Sequence, residues 1–120
     1  MDSIIISATE DTPGIRLDAA SDIFEISGRS LPEDVTKFYK PILDWLEEYA
    51  SSPNDKTVFN FKLSYFNTAS SKIILDILMK LEAVKDISIK WHYASDDEDM
   101  MEAGEEYADI VDVPIELVEY

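Results

Sequence analysis

The sequence predicts a single α/β domain, residues 1–120, in which helices pack on a mixed β-sheet. Short segments with alternating apolar and polar residues recur along the chain, as in half-buried strands. Three longer segments instead repeat their apolar residues at helical spacing. The resulting order is β-β-β-α-β-α-β-α-β. Because the later strands are separated by helices, right-handed crossovers and a parallel portion of the sheet are expected.

The first 27 residues predict three short strands. They are expected at Ser3–Thr9, Ile15–Leu17 and Ile23–Ser27, with turn signals at Thr12–Gly14 and Ala19–Asp22 between them. Strands joined by such short turns pair as a meander.

The first helix is predicted to run from a cap at Ser30 to about residue 50. Ser30 and Glu33 form the pattern of a capping box, and Pro32 suits the first turn, where its missing N–H costs nothing. Pro41 removes a hydrogen bond from the helix interior. We therefore expect a kink there, or alternatively a break near residues 39–40.

The next strand and helix meet in the middle of the chain. Thr57–Tyr65 alternates cleanly, and its face that includes Phe59, Phe61 and Tyr65 is expected to point to the core. A second helix is predicted from near Ser70 to near residue 84.

The last third of the chain predicts a strand, a helix and a short final strand. The strands are expected at Asp86–Ala94 and Val113–Val118. Ser95 is expected to cap the helix, with four acidic residues in the first turn, where the helix dipole favours them. Gly104 should weaken that helix by about 1 kcal/mol relative to Ala.

Composition restricts the classes of function. The chain carries 26 acidic and 10 basic residues, a formal net charge of −16, so nucleic acids and anionic membranes should repel it. A protein partner with a basic surface fits better, although the acidity is equally explained by solubility. The chain has no cysteine, no visible signal peptide and no apolar run of about 20 residues. A cytoplasmic location without membrane insertion is expected.

The sequence contains few residue patterns that are typical of catalytic, metal-binding or cofactor-binding sites. His92 is the only histidine, and its place in the alternation suggests the polar face of a strand. The acidic run near residues 96–102 lacks the glycine spacing of a calcium loop, and no Gly-rich phosphate cradle is present. We predict no enzyme, no metal and no cofactor. The catalytic alternative is Thr68 or Ser70 acting as nucleophile with His92 as base.

The segment YFNTASSK, residues 65–72, lies where the predicted strand ends and the second helix begins. Asn67 or Thr68 can cap the helix through a side-chain oxygen. The same N–H groups and the helix dipole also favour a phosphate at this position. From the residues alone, capping explains the segment, and a phosphoacceptor at Thr68 is the alternative.

Several segments of the chain, in this order, resemble the SiaC family of bacterial regulatory phosphoproteins. They are TPGIRLD (12–18), FEISGRSLPED (24–34), FYKPILDWLEEY (38–49), YFNTASSK (65–72), KWHY (90–93) and VPIELVE (113–119). The resemblance implies a STAS-like domain, similar to anti-sigma-factor antagonists, without catalytic activity. It also implies phosphorylation by a serine/threonine kinase of the anti-sigma-factor type and reversal by a PP2C-like phosphatase. The unphosphorylated form would then bind a diguanylate cyclase, or another output protein, and promote cyclic-di-GMP synthesis and biofilm formation.

The resemblance places the phosphoacceptor at Thr68, with Asn67 and Ser70 also matching. Ala69 stands where the family has another hydroxyl, and Leu31 departs from the usual SYPE pattern. We expect the turn and the exposed side of the following helix to form the docking face for a partner. Its residues are Tyr65, Asn67, Ala69, Ser70, Ser71 and Lys72, and we expect Asn67, Ser70 and Ser71 to frame the acceptor rather than act as further switches. An anti-sigma-factor antagonist with a transcriptional output is the alternative function.

Overall fold

The computed structural model describes all residues, 1–120, as one six-stranded sheet with three helices. The strands are β1 (Ile4–Ile6), β2 (Gly14–Asp18), β3 (Ile23–Ser30), β4 (Thr57–Phe66), β5 (Ile87–Tyr93) and β6 (Ile115–Glu119). The helices are α1 (Val35–Ser51), α2 (Thr68–Leu81) and α3 (Glu98–Ile110). This order confirms the predicted sequence of elements. None of the three helices has the length and apolar character that a membrane span requires.

The strands lie in the sheet in the order in which they occur in the chain. β1, β2 and β3 pair antiparallel, as expected for strands joined by short turns. From β3 onward each strand pairs parallel to the next, and one helix connects each such pair. Parallel neighbours require these crossovers, which place the carboxyl ends of β3 to β6 at the same edge of the sheet.

One face of the sheet is covered by all three helices. Residues paired across neighbouring strands share a face, and one such row carries Ile15, Ile26, Phe61 and Trp91, all of which are buried. Buried side chains from α1, α2 and α3 belong to the same core. The adjacent row lies on the uncovered face, and its members are Arg16, Glu25, Asn60, Lys90 and Glu116.

Two of the predicted helix starts are wrong. Ser30 is the last residue of β3, and Asp34 caps α1 by accepting from the Lys37 backbone N–H at 3.1 Å. Ser95 donates its own N–H to the carbonyl of Tyr120 at 3.0 Å, which keeps it beside the sheet. Asp97 therefore caps α3.

The first turn of α3 holds two acidic residues, Glu98 and Asp99, rather than four. α1 continues through Pro41 without a break, which contradicts the alternative of two shorter helices. The proline ring lies on an exposed position, where it does not disturb the buried side of the helix.

A bulge near the end of β4 changes which side chains face the core. Leu63 pairs with Gly28 and Tyr65 pairs with Arg29, so Ser64 is an extra residue on β4. The alternation shifts by one position there. Tyr65 is 48% exposed, which contradicts its predicted place in the core. Phe66 instead points inward and contacts Trp91 edge-on, with 6.2 Å between the ring centroids.

Gly104 lets α3 approach the sheet closely. A Cβ atom at this position would lie 2.5 Å from Trp91 Cδ1 and 2.6 Å from Leu117 Cδ2. The indole N–H of Trp91 donates to the carbonyl of Met100 at 2.9 Å, which holds the ring under the helix. The glycine is therefore required by packing, a role that its helix propensity does not reveal.

Candidate functional site

The turn from β4 into α2 begins with Asn67 and Thr68. Asn67 caps α2, because its side-chain oxygen accepts from the Ser70 N–H at 2.8 Å. Its own N–H donates to the carbonyl of Ser30 at 3.2 Å, which ties the turn to the end of β3. The helix begins at Thr68, two residues earlier than predicted, and the capping by Asn67 is confirmed.

Thr68 occupies the first helical position and its side chain is exposed, as is that of Ala69. Backbone N–H groups in the first turn of a helix have no partner within the helix, and the helix dipole is positive there. Lys72 is also exposed and lies four residues further along, one helical turn from Thr68 on the same face. Thr68 thus combines accessibility with an electrostatic environment that favours an anion.

A chain of buried hydroxyls lies beneath the turn. The Ser30 hydroxyl donates to the Ser70 hydroxyl at 2.9 Å, and Ser70 donates to the Ser30 carbonyl at 2.9 Å. The Tyr39 hydroxyl lies 2.6 Å from Ser30 Oγ and acts as the donor, since the single Ser30 proton is directed to Ser70. All three side chains are fully buried.

This burial has two consequences. Removal from water raises the pKa of Tyr39 to about 12, against the smaller opposing effect of its hydrogen bond to Ser30. Ser70 is inaccessible, so the expectation that it touches a partner is wrong, and its side chain instead holds the turn in place. The sequence offered no signal for Ser30 and Tyr39 as part of the site, because their contacts depend on β3, α1 and α2 converging.

Ser71 connects the turn to α3. Its hydroxyl donates to the carbonyl of Thr68 at 2.6 Å, and its own carbonyl accepts from the Tyr107 hydroxyl at 2.7 Å. Burial raises the pKa of Tyr107, with nearby Glu106 adding to the effect, so this phenol remains a donor over the physiological pH range. Close to Thr68, α2 is therefore bonded to β3 through Ser70 and to α3 through Ser71.

Tyr65 and Arg29 lie side by side next to the turn. The guanidinium carbon of Arg29 is 5.5 Å from the centre of the Tyr65 ring, within the range of a cation–π contact. Arg29 Nε also donates to the carbonyl of Glu10 at 3.1 Å. Tyr65 is thus exposed yet held in position.

His92 lies away from the turn, on the uncovered face of the sheet. One of its ring nitrogens, Nε2, is 3.0 Å from the side-chain oxygen of Asn60, which precedes the end of β4 by six residues, about 20 Å along a strand. Partial burial, together with Lys62 and Lys90, lowers the pKa of His92. His92 is therefore too far from Thr68 to act as the base that the catalytic alternative requires. No group of three or more potential ligands is arranged to hold a metal ion.

The mixed sheet, the capped turn and the exposed threonine define a small α/β domain with an accessible hydroxyl at a helix start. The model of the SiaC family regulatory phosphoproteins matches residues 6–120. The chain therefore belongs to the SiaC family.

Known proteins from Pseudomonas aeruginosa resemble the whole chain. An uncharacterized protein of strain UCBPP-PA14 is 28% identical over 121 residues, covering 98% of this chain and 96% of that protein. The structure of SiaC shares 25% identity, with a TM-score of 0.87 and complete coverage of both chains. The crystal structure of the diguanylate cyclase SiaD in complex with its activator SiaC contains a chain with 26% identity and a TM-score of 0.88. That match covers 98% of this chain and 99% of the other, and the mixed α/β fold is confirmed.

Proposed function

We propose that this protein is a non-enzymatic signalling adaptor that is switched by reversible phosphorylation of Thr68. Its unphosphorylated form binds and activates a diguanylate cyclase, and thereby promotes cyclic-di-GMP synthesis. The observation that carries the proposal is the exposed Thr68 at the first position of α2, on a turn held by buried hydrogen bonds. Membership of a family of regulatory phosphoproteins supports the switch. The similarity to the chain in the complex of SiaD with its activator supports the output partner.

The mechanism follows from the local geometry. A phosphate on Thr68 adds about −1.5 to −2 charges and three strong acceptor oxygens. The free N–H groups of the α2 start, its dipole and the ammonium group of Lys72 can compensate this charge. Because Asn67 and Ser70 fix the turn from below, the phosphate changes the surface without unfolding the domain. An effect of about 3 kcal/mol on partner binding would change the affinity about 150-fold.

The remaining partners are those of a partner-switching pathway. A serine/threonine kinase of the anti-sigma-factor type adds the phosphate, and a PP2C-like phosphatase removes it. The proposed docking face consists of the accessible residues around Thr68, namely Tyr65, Asn67, Ala69, Ser71 and Lys72. We place the pathway in the cytoplasm, where diguanylate cyclases find their nucleotide substrate.

The first test identifies the phosphoacceptor. The protein is incubated with its cognate kinase and ATP, and the phosphate is located by mass spectrometry. We expect one phosphate, on Thr68, and none on a Thr68→Val variant, which retains the shape of the side chain. Ser71→Ala is the matched control, since it removes the neighbouring hydroxyl and should be phosphorylated normally. Full phosphorylation of Thr68→Val would contradict the assignment.

The second test concerns the output. The unphosphorylated and phosphorylated proteins are each mixed with the diguanylate cyclase from the same organism, and cyclic-di-GMP formation is followed. We expect stimulation by the unphosphorylated form only. Binding of the kinase without any binding or stimulation of the cyclase would instead favour an anti-sigma-factor antagonist.

A further inference from the structure

The uncovered face of the sheet differs in charge from the rest of the molecule. Its strands β3 to β6 are parallel, and parallel strands are found almost only in sheets with both faces covered. The charged residues of this face in β2 to β6 are three acidic and four basic ones, namely Asp18, Glu25, Glu116, Arg16, Arg29, Lys62 and Lys90. The whole chain has a net charge of −16, so its excess of acidic residues lies elsewhere on the surface.

The central row of the uncovered face has a regular order of charges. Across β2 to β6 it reads basic, acidic, neutral, basic and acidic, with the residues Arg16, Glu25, Asn60, Lys90 and Glu116. Read from β6 back to β2, every charge is replaced by its opposite. Within the chain only Glu25 has an ion-pair partner, Lys62 at 2.8 Å. The other three charges of the row are free to pair with a partner.

We propose that the uncovered face binds the same face of a second copy of this chain, around a twofold axis that runs along β4 through Asn60. Rotation about this axis reverses the order of the strands and keeps their direction. Arg16 then lies opposite Glu116 of the second copy, and the rotation repeats this pair. Glu25 lies opposite Lys90 of the second copy in the same way. The inference does not depend on the proposed function, because it concerns a different face of the domain.

The charges also select the orientation of the two copies. A twofold axis that runs across the strands would keep their order and reverse their direction. Arg16 would then face Arg16 of the second copy, and Glu25 and Lys90 would likewise face their own counterparts. Like charges opposite one another disfavour association. The axis along β4 is therefore the favourable arrangement.

The residues near the axis are compatible with a close contact. Val58 is 40% exposed and would contact Val58 of the second copy, beside the two Asn60 side chains. Lys62 also approaches its own counterpart, but its ammonium group is held by Glu25 on the neighbouring strand, away from the axis. Facing sheets align within about 30°, which displaces Arg16, about 10 Å from the axis, by about 5 Å. Arginine and glutamate side chains are long enough to bridge this displacement.

The contact should be weak and sensitive to salt. Five strands, with three residues along each, cover roughly 500 Å² of sheet on each copy, which is small for a specific interface. Exposed ion pairs each contribute little, and salt screens them. Because the axis keeps the strand direction, the Thr68 turns of both copies would lie at the same end of the dimer and remain accessible.

Sedimentation velocity of the full chain tests for this dimer. The protein is examined from about 10 to about 500 µM, in about 0.05 M and about 0.5 M NaCl. We expect the sedimentation coefficient to rise with concentration at low salt, and to rise less at high salt. A monomer at every concentration in low salt would overturn the proposal.

Two charge reversals test the predicted pairing. Arg16→Glu and Glu116→Arg each place like charges opposite one another, and each should weaken self-association at least about tenfold. An equimolar mixture of the two variants should associate as strongly as the wild type, because every such pair again joins opposite charges. Lys85→Glu and Glu105→Arg are the matched controls, since they change the net charge equally at exposed positions outside this face. Their self-association should stay within about twofold of the wild type.

The mixture distinguishes the proposed axis from other contacts. Both reversals are at exposed positions, so the variants should keep the circular dichroism spectrum of the wild type. Self-association that neither reversal weakens would place the contact elsewhere, such as the edge of β1, where Ile5 is 67% exposed, and would overturn the proposal. Folded variants that fail to associate with each other would overturn it as well.

Discussion

The hydroxyl of Ser70 donates to the carbonyl of Ser30 and accepts from the hydroxyl of the same residue, each at 2.9 Å. This reciprocal pair joins residues forty positions apart, the last residue of β3 and the third residue of α2. It fixes the start of α2 from inside the domain, while Thr68 two residues earlier remains exposed. The turn that carries Thr68 is therefore fixed by buried hydrogen bonds on its inner side, while Thr68 itself is accessible.

Replacement of Ser70 by Ala should destabilise the fold measurably. The change leaves the Ser30 hydroxyl without its acceptor in a fully buried site, and we expect a loss of about 1–3 kcal/mol in the free energy of unfolding. Urea denaturation measures this loss. Ser71→Ala removes a hydroxyl that is bonded only to the Thr68 carbonyl, one helical turn earlier. This variant should lower the free energy of unfolding by about 0.5 kcal/mol or less. Similar losses for both variants would contradict the importance of the buried pair.

Tyr39→Phe should lose stability in a manner that depends on pH. At pH 8 we expect a loss of about 1 kcal/mol, because the hydrogen bond to Ser30 is removed. The folded-state pKa of about 12 lies above the unfolded value of about 10, so the protonated phenol favours folding fully below pH 10. The wild type should lose this contribution as the pH rises from about 10 to about 12.

Urea denaturation of both proteins at intervals from pH 8 to 11.5 tests the prediction for Tyr39. The stability difference should shrink above pH 10, since only the wild type carries this titrating group. A difference that stays constant with pH would mean that the Tyr39 hydroxyl ionises normally in the folded state.

Gly104→Ala should destabilise the protein even though alanine favours helices by about 1 kcal/mol. The new methyl group would collide with Trp91, which its hydrogen bond to Met100 holds in place. Overpacking of this kind costs about 1–3 kcal/mol, so after the helix-propensity gain we expect a net loss of up to about 2 kcal/mol by thermal or urea denaturation. Ala108→Gly, at an exposed position of α3, should lose about 1 kcal/mol through propensity alone. A stability gain in Gly104→Ala would contradict the close approach of α3.

His92 should titrate below the usual histidine pKa of about 6.5, because partial burial and Lys62 both disfavour its charged form. The unfolded state then binds a proton more readily, so His92 favours folding above pH 6.5, and this contribution is lost as the pH falls toward the folded-state pKa. An NMR titration of the imidazole measures that pKa. Lys62→Gln should raise it, whereas Lys85→Gln, in the loop before β5, should leave it unchanged. A pKa at or above 6.5 in the wild type would contradict the prediction.

Much of the fold could be predicted from local patterns. Alternation and helical spacing located every strand and helix in the correct order, since each element buries one face. The position between strand and helix predicted a cap at Asn67 or Thr68, and the structure assigns it to Asn67. The predicted caps at Ser30 and Ser95 were wrong, because sheet hydrogen bonds extend past the points where local signals suggested that the strands end.

The sequence by itself determined the element order, the acidic surface, the family resemblance and the place of Thr68 at the start of a helix. Only the tertiary structure decided the rest of the site. The bulge at Ser64 turns Tyr65 outward, the convergence of three elements buries Ser70 against Ser30, and Gly104 lets α3 pack closely on the sheet. These features depend on contacts between residues distant in the chain, and no local pattern encodes how closely two elements approach.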